Sequence, residues 1–139
     1  MARFHHTGVA VPSITDALPL YIDVLGMRQV TEVMHDPVQK VKVVLLAYEG
    51  QEDGPFVELV EPSGQPSPVD TVLRTKNYLY HYCVEVQGPL EDLLAELRQH
   101  RVMVVQRPVP AVLFGGRRIT WVFTPTRHLI EYLEQENNE

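Results

Sequence analysis

The sequence contains little cysteine and no long apolar run. Cys83 is the single cysteine in 139 residues, so no disulfide can form within the chain and no zinc cluster can be built from several cysteines. No stretch approaches the roughly 18 uninterrupted apolar residues that a membrane-spanning helix needs. The opening MARFHHTGVAVPS also lacks the apolar segment of a signal peptide. These absences predict a soluble, cytoplasmic protein with no membrane partner.

Positive charge is scarce as well. The chain has 12 Lys and Arg residues against 18 Asp and Glu residues, which gives a net charge of −6 and a pI near 5.5. A nucleic-acid-binding domain normally carries an excess of positive charge. We therefore do not expect a nucleic acid or an anionic membrane as the main partner.

The chain contains an internal repeat. After His6, apolar residues first alternate and then recur every three or four positions, which predicts a strand followed by an amphipathic helix. The same order returns after His81. Further strand-like segments follow each helix, at 29–33, 41–48 and 56–60 in the first half and at 102–105, 118–123 and 129–133 in the second.

The repeat predicts two copies of a βαβββ module within one domain, residues 1–139. Module one covers about 1–62, a linker rich in proline covers 63–75, and module two covers about 76–139. We expect the first helix to have Thr15 or Asp16 as its N-cap, because Pro19 would then fall in the first turn, where proline is tolerated.

Each half ends in a strand that carries a glutamate among apolar neighbours. FVELVE has Glu58 where LIEYLE has Glu131, and each glutamate follows its histidine, His6 or His81, at nearly the same separation. A buried carboxylate is costly unless it is paired. Two imidazoles and two carboxylates suit a divalent ion such as cobalt, nickel, zinc, manganese or iron. We therefore predict an α+β fold in which two tandem βαβββ modules form a curved mixed sheet around a metal site.

The remaining histidines and the cysteine do not share this repeated pattern. His5 would point to the strand face opposite His6. Surface positions are expected for His35, His100 and His128, and Cys83 in its apolar strand is expected to be a buried packing residue.

The sequence resembles the vicinal oxygen chelate superfamily, which includes glyoxalase I, methylmalonyl-CoA epimerase, extradiol dioxygenases and bleomycin-resistance proteins. HTGVAVPSITDALPLYIDVLGM is similar to the opening of the epimerases, and VELVEPSGQPSPVDTVL to their ligand strand and the helix start after it. YHYCVEV is similar to their second histidine strand, and FGGRRITWVFTP to their Gly-Gly-x-Arg strand. The resemblance runs from Phe4 to about Glu134 and implies the four ligands that the repeat predicts.

The resemblance implies a metal-dependent isomerase or epimerase that abstracts a proton next to a carbonyl through a metal-stabilised enolate. The expected substrate is an acyl thioester such as a methylmalonyl-CoA-like compound, and a homodimer is the expected assembly. Glu131 is the expected catalytic base. Arg118 matches the arginine of the family and is expected to bind the substrate, since only one of Arg117 and Arg118 can face the site.

The chain departs from the epimerases at Val38, which stands where they have a catalytic glutamate. Asp36 or Glu32 would have to supply a base there. Two alternatives stay open. One is a glyoxalase-type lyase or an Fe(II) dioxygenase with the same ligands, and the other is a non-enzymatic protein that binds a small molecule such as an antibiotic.

Overall fold

The computed structural model describes residues 2–136, so the two ends of the predicted domain, Met1 and Glu139, lie outside the described residues. The strands are β1 (Arg3–Ala10), β2 (Met27–Gln29), β3 (Met34–Asp36), β4 (Val41–Tyr48), β5 (Phe56–Pro62), β6 (Leu79–Val86), β7 (Met103–Pro110), β8 (Arg118–Phe123) and β9 (Leu129–Glu134). The helices are α1 (Ile14–Pro19), α2 (Asp70–Arg74) and α3 (Leu90–Arg98), with a π-helical segment at Leu20–Val24 and a 3₁₀ turn at Val112–Phe114. Within residues 2–136, no helix has the length and apolar character that a membrane span requires.

Two compact units make up the chain. The first unit is formed by residues 6–80, and the second by the residues up to His5 together with those from His81 onward. The predicted linker, 63–75, contains α2 and belongs to the first unit. That the whole chain behaves as a single domain stays a prediction.

In the first unit, the strands follow the order β2-β4-β5-β1, with β3 also paired to β4. β1 and β5 are parallel, whereas β4 is antiparallel to β5, β2 and β3. The predicted strand at 29–33 is therefore wrong in its bounds. Instead, β2 ends at Gln29 and β3 begins at Met34, and each of these short strands forms its own pairing with β4.

The second unit repeats this order as β7-β8-β9-β6. β6 and β9 are parallel, and β8 is antiparallel to both β9 and β7. In this unit β7 is continuous and follows β8 through two register shifts. Each unit thus pairs its first strand in parallel with its last, as expected for duplicated βαβββ modules.

One face of the sheet in each unit packs against the helix of that unit. In the first unit the buried residues of this interface are Ile14 of α1 together with Val11, Met27, Val44, Leu46 and Leu59. In the second unit they are Leu94 of α3 together with Val122 and Ile130. Because side chains alternate along a strand, the residues between them point to the opposite face, which we call the ligand face. It carries Glu58 in the first unit and Glu131 in the second.

The first helix begins earlier than predicted. Ser13 is its N-cap, and the Ser13 hydroxyl oxygen accepts a hydrogen bond from the backbone N–H of Asp16 at 3.2 Å. The prediction of Thr15 or Asp16 as the cap was wrong, and Pro19 lies at the end of α1 rather than in its first turn. Since proline has no N–H for the i→i−4 bond, α1 stops there and the π-helical segment Leu20–Val24 follows.

A second glutamate on the last strand of each module binds the start of the helix of that module. Glu61 Oε1 accepts a hydrogen bond from the N–H of Ile14 at 2.7 Å, and Glu134 Oε2 accepts one from the N–H of Leu90 at 3.1 Å. Both carboxylates therefore satisfy a backbone donor that a helix N-terminus leaves without an intrahelical partner. The duplication extends to this capping contact.

Each capping glutamate also pairs with a basic residue on the neighbouring strand. Lys42 Nζ lies 3.8 Å from Glu61 Oε2, and Arg118 Nη2 lies 2.7 Å from Glu134 Oε2. The guanidinium of Arg118 also reaches Glu91 on α3, at 2.6 Å. Arg118 thus occupies in module two the place that Lys42 occupies in module one, and it joins the helix to the sheet.

Replacement of Glu134 by Gln is expected to lower the free energy of unfolding by about 1 kcal/mol, because the charged cap of α3 and its pair with Arg118 are lost. Urea unfolding at pH 7 measures this change. The matched control is Glu91→Gln, which removes only the more exposed partner of Arg118 and should cost less, about 0.5 kcal/mol or below.

The pH dependence of the same variant gives a second check. The hydrogen bond from Arg118 lowers the pKa of Glu134, burial raises it, and the N–H of Leu90 lowers it again, with a net lowering. A lowered pKa in the folded state stabilises the fold above the pKa of the unfolded state, about 4.3. The difference between wild type and Glu134→Gln should therefore shrink as the pH falls below that value, and a difference that grows would contradict the assignment.

Candidate metal centre

The first histidine and glutamate pair lies on the parallel strands β1 and β5. Glu58 is in register with Gly8, and His6 lies two positions before Gly8, so the two side chains project from the same face. His6 Nε2 lies 3.7 Å from Glu58 Oε2. Both residues are buried.

The second pair repeats this arrangement on the parallel strands β6 and β9. Glu131 is in register with Cys83, and His81 lies two positions before Cys83. His81 Nε2 lies 3.5 Å from Glu131 Oε1, and both residues are buried. In each module, the histidine therefore lies two residues before the register partner of the glutamate.

The spacing within each pair suits two ligands of one ion. Distances of 3.5 and 3.7 Å between nitrogen and oxygen are longer than a hydrogen bond of about 2.7–3.2 Å. Two donor atoms that lie about 2.1 Å from a tetrahedral ion would be about 3.4 Å apart. Imidazole and carboxylate are also donors that divalent transition metals accept, so the residues present fit the predicted ion.

Comparison with known proteins identifies the family. Residues 5–121 match the sequence model of the Glyoxalase/Bleomycin resistance protein/Dioxygenase superfamily. The chain belongs to this superfamily. The predicted resemblance is therefore confirmed.

Individual relatives agree with this assignment. The mouse protein "Methylmalonyl-CoA epimerase, mitochondrial" is 35% identical over 104 residues, which cover 73% of this chain and 55% of the mouse protein. The chain thus spans about half the length of that relative, which by its name is an isomerase.

Solved structures show the same fold. A hypothetical protein from Bacillus halodurans has a TM-score of 0.82 at 24% identity, and the match covers 99% of this chain and 97% of that one. Methylmalonyl-CoA epimerase from Mycobacterium tuberculosis has a TM-score of 0.79 at 23% identity, with 96% and 87% covered. At such identities the likeness concerns the fold alone, and it confirms the predicted fold class.

Trp121 lies beside the second pair in this superfamily member. It is the register partner of Glu131 on β8, so both side chains lie on the ligand face. The centroid of the Trp121 ring system is 4.6 Å from that of the His81 ring, and the two planes are at 81°. Sequence reasoning missed Trp121, although the alternation on β8 and its pairing with the ligand strand β9 could have indicated it.

The two neighbouring arginines point to opposite faces of the second unit. Arg118 shares the helix face with Val122 and forms the ion pairs described above. Arg117 lies four positions before Trp121, so by the same alternation it points to the ligand face. Its Nη2 lies 2.5 Å from Glu85 Oε2. Glu85 lies on β6, on the ligand face. The predicted role of Arg118 in substrate binding stays a prediction, and it would require the guanidinium to leave its two carboxylate partners.

Three basic residues, Arg117, Arg3 and His5, interact with the carboxylate of Glu85. Burial raises its pKa, whereas the hydrogen bond and charge of Arg117 and the charges of Arg3 and His5 lower it, and the net pKa is lowered. Buried His5 also contacts the ring of Phe114 edge to face, at 5.1 Å between centroids. This ionised carboxylate orients Arg117 at the end of the ligand face that lies away from His81.

The segment around Val38, where Asp36 or Glu32 would have to supply a base, forms a turn. Val38 is 60% exposed. Asp36 Oδ1 accepts hydrogen bonds from the N–H groups of Val38 and Gln39, both at 3.1 Å, and Asp36 Oδ2 accepts one from Gln39 Nε2 at 2.9 Å. Asp36 therefore shapes the turn between β3 and β4, and Glu32 is exposed.

The remaining residues behave largely as expected. His35, His100 and His128 are exposed, and His35 lies in β3. Cys83 is fully buried, as predicted.

If the two pairs hold one ion, the purified protein should bind one divalent cation per chain, and His6→Ala or His81→Ala alone should abolish binding. A cation at 100 times its Kd should raise the free energy of unfolding by about 2.7 kcal/mol. Elemental analysis and thermal unfolding with Co²⁺ or Zn²⁺ measure both effects.

The matched control for these replacements is His128→Ala, which removes an exposed imidazole and should leave metal content unchanged. Two ions per chain, or single variants that each retain one ion, would contradict a shared site.

Proposed function

We propose that this protein is a metal-dependent isomerase that removes the proton next to the carbonyl of an acyl thioester such as a methylmalonyl-CoA-like compound. The supporting observation is the pair of buried histidine and glutamate contacts at equivalent registers in the two modules. The 35% identity to a mouse methylmalonyl-CoA epimerase points to the same chemistry.

His6, Glu58, His81 and Glu131 are the proposed ligands of a single divalent cation. They offer two imidazole nitrogens and two carboxylate oxygens, all from buried residues. When bound, the cation would supply Lewis-acid stabilisation of a developing oxyanion, an effect of several kcal/mol. Cobalt, nickel, zinc, manganese and iron all suit these donors.

Glu131 is the proposed base. The residue is 3% exposed, and its carboxylate lies 3.5 Å from His81 Nε2. Trp121, its register partner on β8, lies beside it on the ligand face. A proton taken from the substrate carbon would be held at a Glu131 oxygen and returned from it.

A single base predicts a distinctive stereochemical result. Inversion requires a proton to arrive on the face opposite the one it left, whereas one carboxylate returns it to the same face. In the epimerases the glutamate aligned with Val38 is catalytic, and Asp36 already has its oxygens engaged in the turn. We therefore expect proton exchange with solvent to outpace inversion in this protein.

Val38 also favours a second candidate, a non-enzymatic protein that binds a small molecule. Such a protein needs no base, and an exposed valine in that position would be acceptable to it. The lyase and dioxygenase alternatives have no comparable support here and stay predictions, as does the homodimer.

The metal-loaded protein in D2O should exchange the α-proton of methylmalonyl-CoA, or of another member of a panel of acyl-CoA esters, faster than it inverts that carbon. Glu131→Gln should slow the exchange by about a hundredfold or more, because the general base is lost. Proton NMR follows exchange, and chiral analysis of the product follows inversion. Val38→Glu should raise inversion relative to exchange.

The control is Glu134→Gln, which changes the next glutamate of the same strand on the opposite face and should keep the exchange rate. Exchange that persists in metal-loaded Glu131→Gln would eliminate Glu131 as the base. Tight binding of a ligand without exchange on any ester would favour the second candidate, and turnover of hemithioacetals alone would favour the lyase.

A further inference from the structure

We infer that Trp121 is a positioning residue that fixes the His81 ring with its Nε2 toward Glu131 and thereby sets the affinity for the cation. The inference rests on the proposed function, since it assigns His81 and Glu131 as ligands. It adds a residue that the repeat does not predict.

The contact geometry supports this role. The Trp121 and His81 rings lie 4.6 Å apart between centroids at 81°, an edge-to-face arrangement that aromatic rings favour. The torsion that turns an imidazole about its Cβ–Cγ bond has a broad energy minimum. A large rigid ring packed against the imidazole restricts that rotation, so less freedom is lost when the cation binds.

The position of Trp121 on the sheet ties it to both members of the second pair. It is the register partner of Glu131 and contacts His81, while only 7% of it is exposed. One side chain thus borders the two proposed ligands of module two.

The first module shows that the fold itself does not require a tryptophan here. Leu45 holds the equivalent place, as the register partner of Glu58 on β4, and it is 5% exposed. A leucine therefore suffices to fill the ligand face beside one pair. Trp121 is also the single tryptophan of the chain, and its larger ring contacts His81 of the second pair.

The test compares Trp121→Leu, which copies module one, with Trp121→Phe, which keeps an aromatic ring. Titration calorimetry with Co²⁺ or Zn²⁺ should show the Kd rise about tenfold in Trp121→Leu, the usual size of an outer-shell effect. Trp121→Phe should recover most of that loss. Because any core truncation can lower stability, thermal unfolding is measured for every variant.

The matched control is Val122→Ala, which truncates the next residue of β8 on the helix face. It should lower the unfolding temperature and leave the Kd unchanged, because Val122 packs with Leu94 and Ile130. A folded Trp121→Leu protein with the wild-type Kd would overturn the inference.

A measurement on the metal-free protein separates this inference from the proposed function. The ring current of Trp121 should change the NMR chemical shifts of the His81 ring protons, whose signals are identified by their loss in His81→Ala. Trp121→Leu should return these chemical shifts to ordinary values. Absence of any such change in the wild type would refute the positioning. If the wild type binds no cation, the proposed function fails and the chemical shifts alone decide whether Trp121 orients His81.

Discussion

Parallel pairing between the first and last strand of each module is the constraint on which the candidate site depends. Register in a β-sheet is fixed by which side chains must face the core, and a shift of one residue would turn every side chain to the other face. Val57 and Leu59 are bound to the helix side by their packing with α1. Glu58 is therefore forced to the ligand face, and the same logic places Glu131.

The last strand of each module also carries a second glutamate, which faces the opposite side of the sheet. Glu61 and Glu134 lie three positions after the ligand glutamates, an odd spacing that turns them to the helix side, where they meet the first N–H of α1 or α3. One short strand thus delivers one carboxylate to the candidate metal and another to a helix. A register slip would break both contacts, so helix capping and ligand placement support each other.

The modules and the ligand pairs could be predicted because both follow from regular spacings and repeated strings of residues in the sequence. Apolar alternation, helical spacing and the repeated strings FVELVE and LIEYLE are local patterns that need no knowledge of tertiary contacts. The capping glutamates are visible in the same two strings, but no local pattern assigns them a role. Nothing local shows that a glutamate reaches a helix 44 or 47 residues away in sequence.

The features that were predicted wrongly depend on competing tertiary contacts, which a local sequence pattern does not contain. Ser13 caps α1 in place of Thr15 or Asp16, although all three residue types can cap a helix. Residues 30–33 are rich in β-branched side chains but lie outside any strand, because β2 and β3 pair with different parts of β4. The direction in which Arg117 and Arg118 point follows from the register of β8 against β9, where Trp121 pairs with Glu131, and a local pattern does not contain that register.

Duplication supplies two matching pairs, but the proposed reaction, removal of a proton next to a carbonyl, is asymmetric. The difference between the modules must then lie in what surrounds each pair. Module two has Trp121 where module one has Leu45, and Arg118 where module one has Lys42. Glu131 consequently lies beside a rigid aromatic ring and Glu58 beside an aliphatic side chain. Under the proposed function, these unequal surroundings would let Glu58 remain a ligand while Glu131 exchanges protons with a substrate.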